Sequence, residues 1–187
     1  MGVSPNIIRT HISHWEAFLK RTNRPHRQHW PSRLFRHEPV ENAVKILQSG
    51  ILKSRNDANR EIILDIAPAD IINNRNTAHD FVRLYFRPRS PTQYRIEGIR
   101  KPEEYFQQRH APVLVMMVFG SEQILTTPDT EFSDGNMQSA LTIKGRTNGE
   151  FQALPFAGIY HEGPFDSNSP NGVDITRRRC AEVLFPQ

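Results

Sequence analysis

The apolar residues of this chain fall into a few well-spaced groups, and their spacing predicts its elements. Val40, Ala43, Val44 and Leu47 recur at three- and four-residue steps, which predicts an amphipathic helix over 39–49. Pro39 suits its first turn and Gly50 its C-terminal stop. Leu34-Phe35-Arg36 before it reads as a short strand, and Ile51-Leu52 after it as extended chain. Phe81-Val82-Arg83-Leu84-Tyr85-Phe86 has the aromatic and β-branched content of a second strand, ended by Arg87-Pro88. Pro112 to Phe119 is apolar throughout, as expected of a central strand buried on both faces. Ala181 to Phe185 predicts the final strand.

The stretches between these are less regular. Residues 54–80 are mostly polar and read as loop with a short helix near 68–75. Residues 120–175 are rich in Gly, Asn and Pro, with Ile124-Leu125 and Leu141 to Ile143 as minor strands. A loop of that length inside a domain is usually functional. Residues 1–33 read as an appendage: Trp15, Phe18 and Leu19 form one face of a short helix around 12–20, and a proline-broken basic linker follows. His11 and His14, like His26 and His29, stand at a three-residue step that a metal can use on a helix. Pro25 and Pro31 oppose a helix at the second pair, and Glu16 is the one acid near the first. A solvated basic arm without metal is the expected state.

Composition narrows the class. The 187 residues suit one core, placed here at 34–187. Fourteen prolines and ten glycines point to a loop-rich α+β protein rather than a helical bundle. The lone cysteine, Cys180, excludes an intramolecular disulfide and a multi-cysteine zinc site. The chain opens without an apolar signal region, and no stretch approaches the roughly 18 apolar residues of a membrane span. A cytoplasmic protein with no membrane partner is expected. The formal charge is +4, with basic clusters at Lys20 to Arg36, Arg83 to Lys101 and Arg177 to Arg179. That favours a polyanionic partner, since neutralised phosphates release counterions; a mildly basic soluble protein is the alternative.

Glu182 stands out among the candidate chemical groups. It sits beside Val183 and Leu184, where burying a carboxylate is costly unless something compensates it. Such a residue is either the polar member of an alternating strand, facing solvent or a nearby arginine, or a carboxylate held in an active site. Arg36 lies where a strand leads into a helix, a place at which a cation meets phosphate. Arg75 lies in a polar loop, and Arg87 and Arg89 bracket Pro88 in a rigid turn.

Five segments then carry a resemblance: LFRHEPVENAVKILQSGILKSRN (34–56), DIAPADIINNRN (65–76), HDFVRLYFRPRSPTQY (79–94), FSDGNMQS (132–139) and RRRCAEVLF (177–185). In this order the chain resembles the DarT family of toxin ADP-ribosyltransferases, which modify bases in single-stranded DNA. The resemblance implies an ADP-ribosyltransferase-like fold: two small, roughly perpendicular β-sheets with flanking helices and a cleft for NAD. It places the catalytic glutamate at Glu182 and the NAD-site arginine, also catalytic, at Arg75, the two meeting across that cleft. It puts the position that reads the nicotinamide carboxamide at Arg36, with His37 adjacent. Asn136 matches a position near the reacting centre, and Glu38, Asn42 and Tyr85 complete the expected cofactor set. The segment about 145–178 becomes the substrate loop. Arg83 departs from the family, which often has proline there, and the chain ends five residues after Glu182, where the family usually continues.

These residue types suit the implied chemistry. Cleaving the nicotinamide–ribose bond develops oxocarbenium character at the ribose carbon. A carboxylate can stabilise that charge, orient a ribose hydroxyl, or take a proton from the attacking base nitrogen. Arginines can clamp the pyrophosphate, and no metal is required. For the nucleic acid, Phe151, Phe156, Tyr160 and Phe165 either stack on unpaired bases or pack the loop onto the sheet. Arg87, Arg89, Lys144, Arg146, Arg177, Arg178 and Arg179 are the expected phosphate contacts. The leading expectation is base modification in single-stranded DNA or RNA by a toxin paired with an antitoxin. The alternatives are a non-catalytic nucleic-acid-binding domain of the same fold, and a transferase acting on protein.

Overall fold

A sheet built from distant pieces of the chain positions everything else. The structure, a computed structural model, describes residues 1–67, 77–97, 102–104, 110–137 and 139–187; the helix expected near 68–75 lies outside them. Six strands form: β1 (Arg33–Pro39), β2 (Val82–Tyr85), β3 (Leu114–Gly120), β4 (Glu131–Ser133), β5 (Lys144–Gly145) and β6 (Glu182–Phe185). They hydrogen-bond in the order β3-β1-β2-β6-β4-β5, all antiparallel. The fold is α+β, as expected, but the strands form one six-stranded sheet rather than two. The reason is local: β1 and β2 are joined through one register pair, Phe35 opposite Tyr85, which links a β3-β1 half to a β2-β6-β4-β5 half.

Helices α1 (Pro5–Lys20), α2 (Val40–Ser49), α3 (Pro91–Ile96), α4 (Ser121–Leu125), α5 (Asn148–Gln152), α6 (Phe156–Ile159) and α7 (Pro170–Arg178) decorate the sheet. The helix after β1 forms as expected and stops at Gly50, whose φ of 69° is the left-handed cap that glycine adopts without strain. Its buried side is not the expected one. Asn42 and Ala43 are buried, while Val44 and Leu47 are exposed. The run 112–119 also differs: β3 is the sheet's edge, with Met116 and Val118 exposed, because an apolar run does not say how many neighbours a strand acquires. Ile124 and Leu125 lie in α4 rather than a strand, and the minor strand expected at 141–143 begins at Lys144. Stretches expected as loop after 145 contain α5, closed by a Thr147–Glu150 capping box, then α6 and α7.

The N-terminal 33 residues are woven into the core. Pro5 takes the first turn of α1, which suits its fixed φ, and the helix starts well before residue 12. Ile8, Ile12, Trp15 and Leu19, at helical spacing, join Leu34, Phe35, Leu84, Phe132 and Val183 in one cluster. His11 lies 4.1 Å from the Phe156 ring and shares a hydrogen bond with the Tyr160 hydroxyl at 3.0 Å. Burial, and secondarily the charge of His14, pushes its pKa down to about 3. A base depressed in the folded state takes up its proton on unfolding, so stability falls as pH drops below the ordinary histidine value. We expect urea midpoints to decline between about pH 6.5 and 3, and His11→Leu to flatten part of that decline. A variant with the same pH slope as wild type would contradict this. Among the described residues no helix is long and apolar enough to cross a membrane.

Candidate active site

A cavity of about 560 Å³ opens where β1, β2, the stretch 55–67, α3 and the end of α7 converge. Arg36, His37 and Glu38 reach it from β1, Asn42 from the first turn of α2, and Arg83 and Tyr85 from β2. Asn136, Arg177 and Cys180 close the far side. Its described lining includes six arginines (36, 55, 60, 83, 95 and 177) against two carboxylates, Glu38 and Asp65. A pocket with that balance is built for an anion.

The arginines are held rather than free. Arg36 donates through Nε to Glu38 Oε1 at 2.6 Å and through Nη1 to the Arg83 carbonyl at 2.9 Å. Arg55 grips Asp65 with two bonds, at 2.8 and 3.0 Å. Burial opposes the charge on Glu38, but Arg36, helped by Arg60, outweighs it and keeps the carboxyl below its usual range. Burial and then Arg36 push Arg60 down to about 10, against the pull of Glu38. Both His37 and His79 are depressed mainly by burial, so neutral imidazoles face this cationic wall. The Asn42 side chain accepts from the Ile63 and Leu64 amides at 2.9 and 3.1 Å and donates to the Leu64 carbonyl at 2.9 Å. It thereby ties the 63–64 stretch along the cleft.

Arg36→Gln should expose how much of the wall rests on one guanidinium. Glu38 is 5% exposed, and leaving it without its partner is expected to cost about 2 kcal/mol. In an assay of the reaction that the sequence resemblance implies, we expect KM for NAD to rise about tenfold with kcat less affected. Unchanged KM would remove Arg36 from the cofactor set.

Glu182 sits at the back of this cleft. The β2–β6 register sets Tyr85 opposite Glu182 and Arg83 opposite Leu184, so all four share one face of the sheet. Glu182 is fully buried. Its Oε1 accepts from Arg83 Nη2 at 2.5 Å and its Oε2 from the Met137 amide at 3.0 Å. Its own amide donates to Ser133 Oγ at 3.1 Å. Burial first, and the Glu182 charge second, raise the Tyr85 phenol, which therefore stays neutral. The same pair of causes pushes the Cys180 thiol up to about 11, as suits a packed side chain rather than a nucleophile.

Of the residues singled out from sequence, the cleft thus gathers Arg36, His37, Glu38, Asn42, Tyr85, Asn136 and Arg177, with Glu182 behind them. Arg75 lies outside the described residues. The expected nucleic-acid set divides. Phe156 and Tyr160 are 4% and 1% exposed and pack the core, so they offer no face to a base. Phe151 is buried likewise. Arg87 is fully buried: it donates to the Ile159 and His161 carbonyls, lies 5.1 Å from the Trp30 ring centroid, and is pushed by burial down to about 9. It is a structural cation, not a phosphate contact. Arg178 pairs with Asp134 and Asp174, and the Arg179 guanidinium lies 5.5 Å from the Phe165 ring. Lys144, Arg146 and Arg89 are exposed, the last two paired with Glu131 and Glu162. Sequence reading missed Arg55, Arg60, Asp65 and the role of Arg83. The signal for Arg83 was present, because period two puts it on the face of Tyr85.

A family model described as "DarT: ssDNA thymidine ADP-ribosyltransferase, DarT" matches residues 35–187. Among solved structures, Thermus sp. 2.9 DarT in complex with ADP-ribosylated ssDNA is similar at a TM-score of 0.67 and 21% identity, over 84% of this chain and 76% of that one. The same Thermus protein in complex with NAD+ gives a TM-score of 0.62 at 18% identity, with the same coverage. Thermosipho africanus DarTG in complex with ADP-ribose gives 0.54 at 23% identity, over 83% of this chain and 40% of that one. At these identities the structures bear on fold. No curated protein sequence matches the chain.

Proposed function

Since the chain belongs to the DarT family of ssDNA thymidine ADP-ribosyltransferases, we propose that its arginine-lined cleft binds NAD and that Glu182 is the carboxylate of the transfer. The observation that carries this reading is a fully buried glutamate, fixed through both oxygens, at the back of a cavity lined mainly by cations. Arg36 and Arg60 suit the pyrophosphate, with Glu38 and Asn42 holding that wall in shape. Tyr85, Asn136 and Glu182 suit the nicotinamide riboside end.

In the reaction, the bond between ribose C1′ and the nicotinamide nitrogen breaks, and nicotinamide leaves with the bonding pair. The ring nitrogen of thymidine that carries a proton forms the new bond to C1′ and passes that proton to water. A negative carboxylate beside the ribose opposes the positive charge that develops there. Segment 145–178 lies next to the cleft through Arg177 and Thr176, which supports its role in presenting the DNA strand. Lys144, Arg146 and Arg89 are the exposed cations for its phosphates. We place the transferase proper at 34–187, against a family match over 35–187, with 1–33 packed into the same core. The DarTG pairing of the Thermosipho relative supports a toxin restrained by an antitoxin.

Labelled NAD incubated with single-stranded oligonucleotides tests this directly. A thymine-containing strand should gain one ADP-ribose by mass spectrometry, and a thymine-free strand none. Label that passes to RNA or to protein instead would overturn the assignment.

A further inference from the structure

Arg83 is the cleft-lining side chain that holds Glu182. It lines the cavity, and the fully buried Glu182 carboxylate lies against it. The two lie diagonally across the β2–β6 pair, within reach of a long side chain. One nitrogen of the guanidinium takes Oε1 at 2.5 Å and the Met137 amide takes Oε2 at 3.0 Å, so the carboxylate is gripped from both ends. The same Nη2 stands 3.4 Å from Asn136 Oδ1, and the Arg83 carbonyl accepts from Arg36. Arg83 therefore touches Glu182, Asn136 and Arg36 at once. A buried carboxylate with a single donor would carry an uncompensated charge and a loose torsion. Two fixed donors remove both problems.

We propose that Arg83 is the positioning residue of the transfer: its guanidinium aims the Glu182 carboxylate and balances its charge, so the acid's placement beside the ribose depends on it. The inference rests on Glu182 being the acting carboxylate. It predicts that losing Arg83 damages turnover more than NAD binding, because the residue acts through Glu182 and not through the pyrophosphate.

The test uses the full chain with Arg83→Gln, Arg83→Lys, Arg83→Ala and, in parallel, Glu182→Gln, each checked by thermal melt. Transfer to a thymine oligonucleotide gives kcat and KM for NAD separately. Arg83→Gln should lower kcat about a hundredfold while KM for NAD moves by less than about threefold. Lysine keeps the charge without the planar fork, so Arg83→Lys should recover only in part, to a kcat about tenfold below wild type. Millimolar guanidinium should raise the activity of Arg83→Ala and leave Glu182→Gln unchanged. Wild-type kcat in Arg83→Gln beside an inactive Glu182→Gln overturns this inference alone. Full activity of Glu182→Gln overturns the reading beneath it. A raised KM at unchanged kcat makes Arg83 a binding residue and also overturns the inference. If Arg83→Gln does not fold, Arg83→Lys decides: kcat about tenfold lower at constant KM supports the proposal, and unchanged kcat rejects it.

Discussion

Glu182→Gln should leave a folded protein that binds NAD and scarcely transfers ADP-ribose, with kcat down about a thousandfold. The substitution keeps the side chain's size and removes its charge. In the native site both oxygens accept, from Arg83 and from the Met137 amide. An amide offers one acceptor and one donor, so one of those partners then faces a donor. Some loss of stability accompanies the loss of charge, and a melting curve separates it from the loss of rate. The charge matters most when the C1′ carbon becomes positive, which places the effect in kcat and not in NAD affinity. Calorimetry with NAD and single-turnover transfer to an oligonucleotide measure the two halves. Transfer at wild-type rate in this variant would remove Glu182 from the reaction.

The second large effect concerns stability. Phe156 is 4% exposed and its ring centroid lies 4.1 Å from that of His11, 5.2 Å from Phe151, 5.5 Å from Tyr160 and 5.6 Å from Phe86. Phe156→Ala empties the middle of that cluster, at an expected cost of about 3–5 kcal/mol. For a chain of this size the melting temperature should fall by about 6–20 °C. Below the melt, KM for the oligonucleotide should stay where it was. An unchanged melting temperature with a raised KM would return Phe156 to the DNA and contradict its place in the core.

Much of the site could be read from sequence because its parts are local. Strand, helix and glycine stop at 34–50 come from spacing alone, and they deliver Arg36, His37, Glu38 and Asn42 to one wall. Glu182 drew attention through its apolar neighbours. What escaped was set by pairing between segments a hundred residues apart. Nothing near Arg83 in sequence announces Glu182; the β2–β6 register brings them together. Arg87, four residues on, looks the same in composition and ends up fully buried under carbonyls contributed by residues 159 and 161. The same limit applies to β3, whose apolar run reads as a centre and sits at an edge. Three of the helices between 121 and 178 span five residues or fewer, too short for periodicity to register. Their aromatic residues therefore looked like free faces for stacking, whereas Phe151, Phe156 and Tyr160 fill the space between α1 and the sheet.

The lone pairing of Phe35 with Tyr85 bears on how reactants get in. Arg36 and Glu38 stand on one bank of the crevice, Arg83 and Glu182 on the other, and the banks belong to plates that share this rung and the stitch from Arg36 to the Arg83 carbonyl. Fewer ladder pairs cross this seam than hold either plate. We expect the crevice to widen here first, with the seven-residue β1–β3 ladder and the β2–β6 ladder whole. Amide protons along that seam should then exchange with deuterium sooner than those on either side, and a nucleotide lodged in the crevice should slow them.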